Sequence, residues 1–186
     1  MPEFPQQILQ SAATGGTNEW LTPPEVFDPL HAEFGFGLDA AAREGSERLP
    51  NYISPVVDSL TYDWVSASLG LPIFLNPPYG HGLDKWIQKA AATGEHVEVV
   101  LLIYSITSTR AWHKHVMNAA EIRFIEGRVY FIAGEDIYKT KPDGSRVLTL
   151  RKGERGPATK DSSLVVFRPG HVGAPAVKSW KQAPRR

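Results

Sequence analysis

The stretch that decides the fold is Leu71-Pro72-Ile73-Phe74-Leu75-Asn76-Pro77-Pro78-Tyr79-Gly80. Residues 71–75 form a buried-strand candidate, and two consecutive prolines end it. The prolines fix the backbone, remove two N–H donors and leave carbonyl groups free. They also hold the Asn76 side chain at the C-terminal edge of the strand, where open α/β sheets bind ligands. A planar amino group becomes a nucleophile only when hydrogen-bond acceptors draw its nitrogen toward tetrahedral geometry and localise the lone pair. The Asn76 side-chain oxygen and the Pro77 carbonyl are two such acceptors, and Tyr79 would stack on the ring that bears the amine. A rigid strand-to-loop turn is the purely structural alternative.

Reading outward, Val97-Glu98-Val99-Val100-Leu101-Leu102-Ile103-Tyr104 is the strongest strand, apolar enough to be buried on both sheet faces. Between these strands, residues 84–92 are helical, with Trp86 and Ile87 on one face. Upstream, Thr22-Pro23-Pro24-Glu25 looks like a helix start, with Thr22 as cap and proline in the first turn. Val26, Phe27, Leu30 and Phe34 follow at helical spacing. Gly35-Phe36-Gly37-Leu38-Asp39 reads as a short strand leaving a glycine turn. Residues 40–71 carry only weak strand signals. Downstream, 109–120 is a helix candidate, 121–132 alternates as strand, and 163–168 is the expected final strand. Strands alternating with helices indicate an α/β sheet. Pro142-Asp143-Gly144, flanked by alternating residues, predicts a hairpin.

The chain has 186 residues, 42% apolar and 22% charged, which suits one globular domain with one core. It has no Cys, which excludes disulfides, thiolate metal sites and a cysteine nucleophile. No apolar run approaches the length of a membrane span, and residues 1–10 lack the halves of a signal peptide. The expected compartment is therefore the cytoplasm, with no membrane partner. Residues 1–17 read as a flexible leader and 173–186 as a basic flexible tail. Charge is segregated: residues 1–138 hold 8 Lys+Arg against 17 Asp+Glu, and residues 139–186 hold 12 against 3. Such asymmetry points to a polyanion partner or to a solvated tail. It begins within the hairpin at about 137–152, where Lys139, Lys141, Arg146 and Arg151 form a basic protrusion. Arg110 follows the strongest strand and is a candidate phosphate contact. His113 and His115 do not share a helix face, so no metal site is expected.

The Asn76-Pro77-Pro78-Tyr79 tetrapeptide resembles the catalytic motif of S-adenosylmethionine-dependent enzymes that methylate amino groups. The wider pattern resembles the phage-type DNA N-6-adenine methyltransferases, a Dam-like family. Trp20-Leu21-Thr22-Pro23 precedes a helix as the family's Trp-x-Thr-Pro does. Leu38-Asp39-Ala40-Ala41 stands where the family has a strand ending Leu-Asp-Pro, with Ala40 replacing the proline. Asp58-Ser59-Leu60 with Trp64, residues 73–80, and Gly127-Arg128-Val129-Tyr130-Phe131 complete the order. The resemblance spans roughly residues 18–170.

It implies a Rossmann-like S-adenosylmethionine-dependent methyltransferase fold, a mixed α/β sheet with helices on both faces, as a domain over 18–172. The implied catalytic residues are Asn76, Pro77, Pro78 and Tyr79. The implied cofactor-binding residues are Trp20, Thr22, Asp39, Ala40, Asp58 and Asn76, with Asp39 and Thr22 near the cofactor's methionine end and Asp58 accepting from the cofactor's adenine amine. Glu47 is a candidate for the ribose. The implied substrate is adenine in DNA, flipped out of the helix, in a bacterial or phage-infected host cell. The basic hairpin (Lys139, Lys141, Arg146, Arg151) and Arg110 would hold the DNA. Two other readings stay open: an RNA or protein-glutamine methyltransferase using the same tetrapeptide, or a non-catalytic nucleic-acid-binding protein on this fold.

Overall fold

A computed structural model describes residues 20–45, 47–80 and 82–185, so the leader expected at 1–17 lies outside the described residues. The elements are β1 (Trp20–Leu21), α1 (Pro24–Phe34), β2 (Leu38–Asp39), α2 (Trp64–Ala67), β3 (Ile73–Leu75), α3 (Leu83–Thr93), β4 (Val99–Tyr104) and α4 (Arg110–Lys114). They continue with β5 (Glu121–Ile125), β6 (Tyr130–Ala133), β7 (Ile137–Thr140), β8 (Arg146–Leu150), β9 (Arg155–Pro157), β10 (Ser162–Phe167) and β11 (Ala176–Trp180).

Six strands form the central sheet in the order β11-β5-β10-β4-β3-β2. β2, β3 and β4 run parallel, β10 lies antiparallel to both β4 and β5, and β11 is parallel to β5. This is a mixed α/β architecture with one reversed strand. The sheet has two apolar faces because successive side chains point to opposite sides. Val99, Leu101 and Ile103 pack with Leu75, Val165 and Phe167, under Ile87 and Ala90 of α3, Trp112 of α4 and Trp64 of α2. Val100 and Leu102 pack with Phe74, Leu164 and Val166, under Val26, Phe27 and Leu30 of α1. The first five residues of β4 are essentially inaccessible to solvent. Burying each of its leucine and valine side chains contributes about 1.5–3 kcal/mol, which is why this apolar run sits in the middle of the sheet.

The second face is shared between α1 and a small antiparallel sheet, β1-β6-β9, whose Phe131 joins that core together with Val129 and Ala158. The expected strand 121–132 is thus two strands in two sheets, separated by a turn at Gly127 with φ 76°. The expected helix 109–120 stops at Lys114 and continues only as a short 3-10 turn. The predicted hairpin forms as β7 and β8, closed by Pro142-Asp143-Gly144-Ser145, with Asp143 Oδ1 accepting from the Ser145 N–H at 2.8 Å.

Two expectations require correction. Thr22 is not the cap of α1: Pro23 occupies the N-cap and makes no side-chain capping bond. The segment 173–186 is not a free basic tail, because Ala176–Trp180 adds to the sheet edge beside β5. Nor is residue 168 the end of the last strand. Edge pairing through the backbone needs no apolar run, and β11 has an almost wholly exposed pattern. Its Lys178 reaches Glu121 at 3.0 Å. Beyond it, the Ala183 N–H donates to the carbonyl of Glu25 at 3.0 Å. That carbonyl is unclaimed within α1 because Pro29, four residues on, has no N–H to give it.

Candidate active site

β3 delivers Asn76 to the C-terminal edge of the sheet, between the neighbouring ends of β2 and β4. The strand is tied to the β2 turn by the Ala40 N–H, which donates to the Phe74 carbonyl at 2.9 Å. Asn76 Nδ2 donates to Thr22 Oγ1 at 3.1 Å, across 54 positions of sequence. Its Oδ1 is buried and has no hydrogen-bond partner among the described residues. The amide is therefore oriented by its nitrogen and keeps its acceptor uncommitted. Pro77 is buried and Pro78 exposed.

A small pocket at this edge is lined by Trp20, Leu21, Thr22, Asp39, Ala41, Arg48, Phe74 and Asn76. It brings together four of the sequence-predicted cofactor residues: Trp20, Thr22, Asp39 and Asn76. Trp20 comes from β1, and its ring lies where a side chain on Gly156 would clash, at 2.9 Å from an added Cβ. Asp39 is buried at the end of β2 and accepts from the Ala41 N–H at 3.4 Å and the Arg48 N–H at 3.3 Å. Desolvation pushes its carboxyl up to about 6, more than these two amide donors pull it down.

Ala40 and Asp58 are not in this lining. Ala40 is fully buried behind the turn, where its carbonyl accepts from Ser59 Oγ at 2.6 Å. Asp58, the residue before, is exposed, and its Oδ1 accepts from the Leu60 N–H at 3.0 Å. Glu47 is half-buried, with Oε2 lacking a partner among the described residues.

Leu21, Ala41, Phe74 and Arg48 are not among the predicted site residues, and Arg48 is the charged one of these four. It lies in a stretch without periodic pattern, and no local signal marks it. Its Nη2 donates to the Thr22 carbonyl, while its Nε is buried without a partner among the described residues. Burial lowers the pKa of its guanidinium, partly offset by the nearby carboxylates of Asp28, Asp39 and Glu25.

Tyr79 turns back onto the sheet. Its ring stacks on Tyr104 at 4.1 Å between centroids, and its hydroxyl donates to the Leu102 carbonyl at 3.2 Å. Burial raises the pKa of this phenol well above its usual value, so it stays protonated. Phe131 is core, and Tyr130 lies under the Arg185 guanidinium at 3.7 Å.

The charge asymmetry resolves into two populations. Arg155 and Arg185 pair with Glu25, Arg168 pairs with Glu98 and Glu121, and Lys178 pairs with Glu121. These C-terminal cations neutralise acids of the N-terminal part within the fold. Lys139, Lys141, Arg146 and Arg151 are exposed on or beside the hairpin and form no ion pair among the described residues, though Arg146 lies 4.7 Å over the Tyr138 ring. The hairpin starts at Ile137, just past Ala133, which pairs with the pocket residue Trp20. Arg110 is also exposed and unpaired among the described residues, at the start of α4 on the ligand edge.

Comparison with known proteins adds two findings. Residues 12–163 match the family model described as DNA N-6-adenine-methyltransferase (Dam). The chain is also similar to a DNA N-6-adenine-methyltransferase of Haemophilus phage HP1 (strain HP1c1), at 31% identity over 120 residues, 62% of this chain and 67% of the relative. The residues matched by the family model include the whole pocket lining and the Asn76 motif, and this protein belongs to the DNA N-6-adenine-methyltransferase (Dam) family of adenine-specific DNA methyltransferases.

Proposed function

We propose that this protein transfers a methyl group from S-adenosylmethionine to the exocyclic amine of an adenine flipped out of DNA, using Asn76, Pro77, Pro78 and Tyr79. The observation that carries the reading is the Asn76 amide: Nδ2 is engaged by Thr22, and Oδ1 is buried and unpaired among the described residues, beside the pocket that holds Asp39. A buried acceptor without a donor costs roughly 1–3 kcal/mol unless a ligand supplies one. An amine hydrogen is such a donor.

The domain takes in residues 18–172. The mainly parallel sheet, covered by helices on one face and by α1 with the small sheet on the other, suits a Rossmann-like methyltransferase fold. Trp20, Thr22, Asp39 and Asn76 would hold the cofactor, with Ala40 shaping the turn behind Asp39. Asp58 would accept from the cofactor's own adenine amine, from its exposed loop. These residues fit the group: a buried carboxylate suits an ammonium, and an aromatic side chain suits an apolar or π surface. When bound, S-adenosylmethionine supplies an electrophilic methyl group on sulfur.

Asn76 Oδ1 and the Pro77 carbonyl accept from the target amine and localise its lone pair toward the methyl carbon. No base is needed before attack: the amine's lone pair would form the N–C bond as the methyl–sulfur bond breaks and leaves a neutral thioether, and the amine would then give its proton to solvent. Alignment and fixed acceptors supply the rate. Flipping costs a few kcal/mol of unstacking. Arg110 and the hairpin cations Lys139, Lys141, Arg146 and Arg151 would offset this by gripping phosphates. The expected setting is the cytoplasm of a bacterial or phage-infected cell.

The test is transfer of labelled methyl groups to unmethylated DNA, with RNA and protein as parallel substrates. N6-methyladenine in DNA alone is the expected product. Label in RNA or on protein glutamine, with none in DNA, overturns the reading.

A further inference from the structure

Two buried polar atoms of the pocket residues lack partners among the described residues: Asn76 Oδ1, which the reaction uses, and Arg48 Nε, which it does not. Arg48 is half-buried and spends one nitrogen on the Thr22 carbonyl. A guanidinium carries five N–H donors and suits a carboxylate through two parallel bonds. Leaving a cationic donor buried and unpaired is costly, so the arrangement calls for an acceptor, and an anionic one above all. Asp39, buried in the same lining, presents the opposite charge. Among the described residues its carboxylate accepts from two backbone amides, at 3.3 and 3.4 Å, both long. A basic and an acidic side chain on one small pocket, not paired to each other, fit a zwitterion. An α-amino acid group is one.

We propose that Arg48 binds the α-carboxylate of the methyl donor while Asp39 takes its α-ammonium, so that the two residues clamp the amino-acid end of the cofactor. The assignment rests on the reading that this pocket is the cofactor site. It also gives Arg48 a second duty. By holding the Thr22 carbonyl it fixes the residue that orients Asn76, so the anchored cofactor end and the amine acceptor share one support. Arg48 touches cofactor and not the reacting atoms.

The test is calorimetric titration with two ligands, S-adenosylhomocysteine and its decarboxylated analogue, which keeps the ammonium and lacks only the carboxylate. Wild type is expected to bind the decarboxylated analogue about 10- to 100-fold more weakly, the usual size for a charged hydrogen-bonded contact. Arg48→Gln is expected to weaken S-adenosylhomocysteine by a similar factor and to leave the analogue within about twofold, at an unchanged melting temperature. Arg48→Lys should recover part of the loss. Equal affinity of wild type for both ligands overturns the carboxylate assignment, even if Arg48→Gln does not fold. Equal loss on both ligands overturns it as well, since that marks a structural role. If Asp39→Ala weakens S-adenosylhomocysteine and Arg48→Gln does not, the Arg48 assignment alone falls. If neither change moves its affinity, the cofactor lies elsewhere and the reading of the pocket falls with it.

Discussion

Thr22 Oγ1 accepts the Asn76 side-chain N–H at 3.1 Å, and this one bond decides which end of the amide is left for a ligand. An amide flipped by half a turn would present its NH2 to another NH2, and two donors do not bind each other. Thr22 thus sets the polarity of the Asn76 amide.

In the proposed mechanism, replacing Asn76 by Ala removes the acceptor at the reacting centre. We expect the transfer rate to fall on the order of 100- to 1000-fold, as for removal of one preorganised polar group. Affinity for S-adenosylhomocysteine should fall far less than the rate, because the Asn76 acceptor is assigned to the amine while Trp20, Thr22 and Asp39 still line the cofactor pocket. Single-turnover methylation and calorimetry on one preparation check this, and activity within tenfold of wild type would contradict the role.

Thr22→Val keeps the shape of a buried side chain and deletes the acceptor of Asn76. The unpaired amide then costs about 1–3 kcal/mol or turns over. We expect kcat to drop about tenfold or more, a larger change than in KM for cofactor, and Thr22→Ser to restore most of it. A Thr22→Val enzyme with wild-type kcat would show that Asn76 is oriented by something else.

Asp39 gives the pocket a pH dependence. Its folded-state carboxyl titrates at about 6, above the ordinary 3.8, because burial disfavours the charge. The unfolded chain releases this proton at lower pH than the folded one, so its contribution to stability is fully present below about 4 and is lost as pH rises through about 6. The ionised group therefore costs about 2–3 kcal/mol at pH 7. Asp39→Asn should raise the melting temperature of the free protein at pH 7 and not at pH 4. Affinity for an ammonium-bearing cofactor should move the other way in wild type, strengthening as pH rises through about 6. Melting curves and titrations at pH 5 and 7.5 test both signs, and a pH-independent affinity would separate Asp39 from the ammonium.

The two populations of C-terminal cations predict two different phenotypes. Neutralising Lys139, Lys141, Arg146 and Arg151 together should weaken DNA binding and flatten its salt dependence, by roughly 0.9 in logarithmic slope for each phosphate no longer neutralised. The melting temperature should hardly change, since these side chains form no ion pair among the described residues. Truncation after Gly173 should do the reverse. It removes β11, the Lys178–Glu121 pair and the hydrogen bond of Ala183 to Glu25. The melting temperature should fall while the folded fraction keeps its salt slope. DNA affinity across a salt series, beside a melting curve, distinguishes the two.

The ion pair of α1 with β5 offers a further check on the core. Arg123 is buried and holds Glu33 through two bonds, at 2.7 and 2.6 Å, and Glu121 through a third at 2.6 Å. Arg123→Ala leaves the buried Glu121 short of one partner, a change that typically costs about 3–5 kcal/mol. Chemical denaturation should show this as a lower midpoint at unchanged slope. A loss below about 1 kcal/mol would mean that Arg168 and Lys178 suffice for Glu121.

The local chemistry of the chain was enough to find the strand that stops at Asn76, the apolar run of β4, helix α3 and the Pro-Asp-Gly hairpin. Each rests on signals a few residues long: an apolar run, a helical period, a proline that removes a donor. The order of motifs identified the family. What tertiary structure decided lies in contacts between distant residues. Thr22 reads locally as a helix cap, and its hydroxyl instead meets Asn76 once β1 and β3 converge on one edge. Arg48 stands in a loop without period, and only the return of that loop past Asp39 brings it to the pocket. The basic C-terminus reads as a solvated tail because its residues are polar and exposed. It becomes a strand because the edge of β5 offers unpaired backbone groups, and because Glu121 and Glu25 pair with its Lys178 and Arg185. Backbone pairing at a sheet edge and long-range charge neutralisation leave no periodic mark in sequence, so the fold alone determines them.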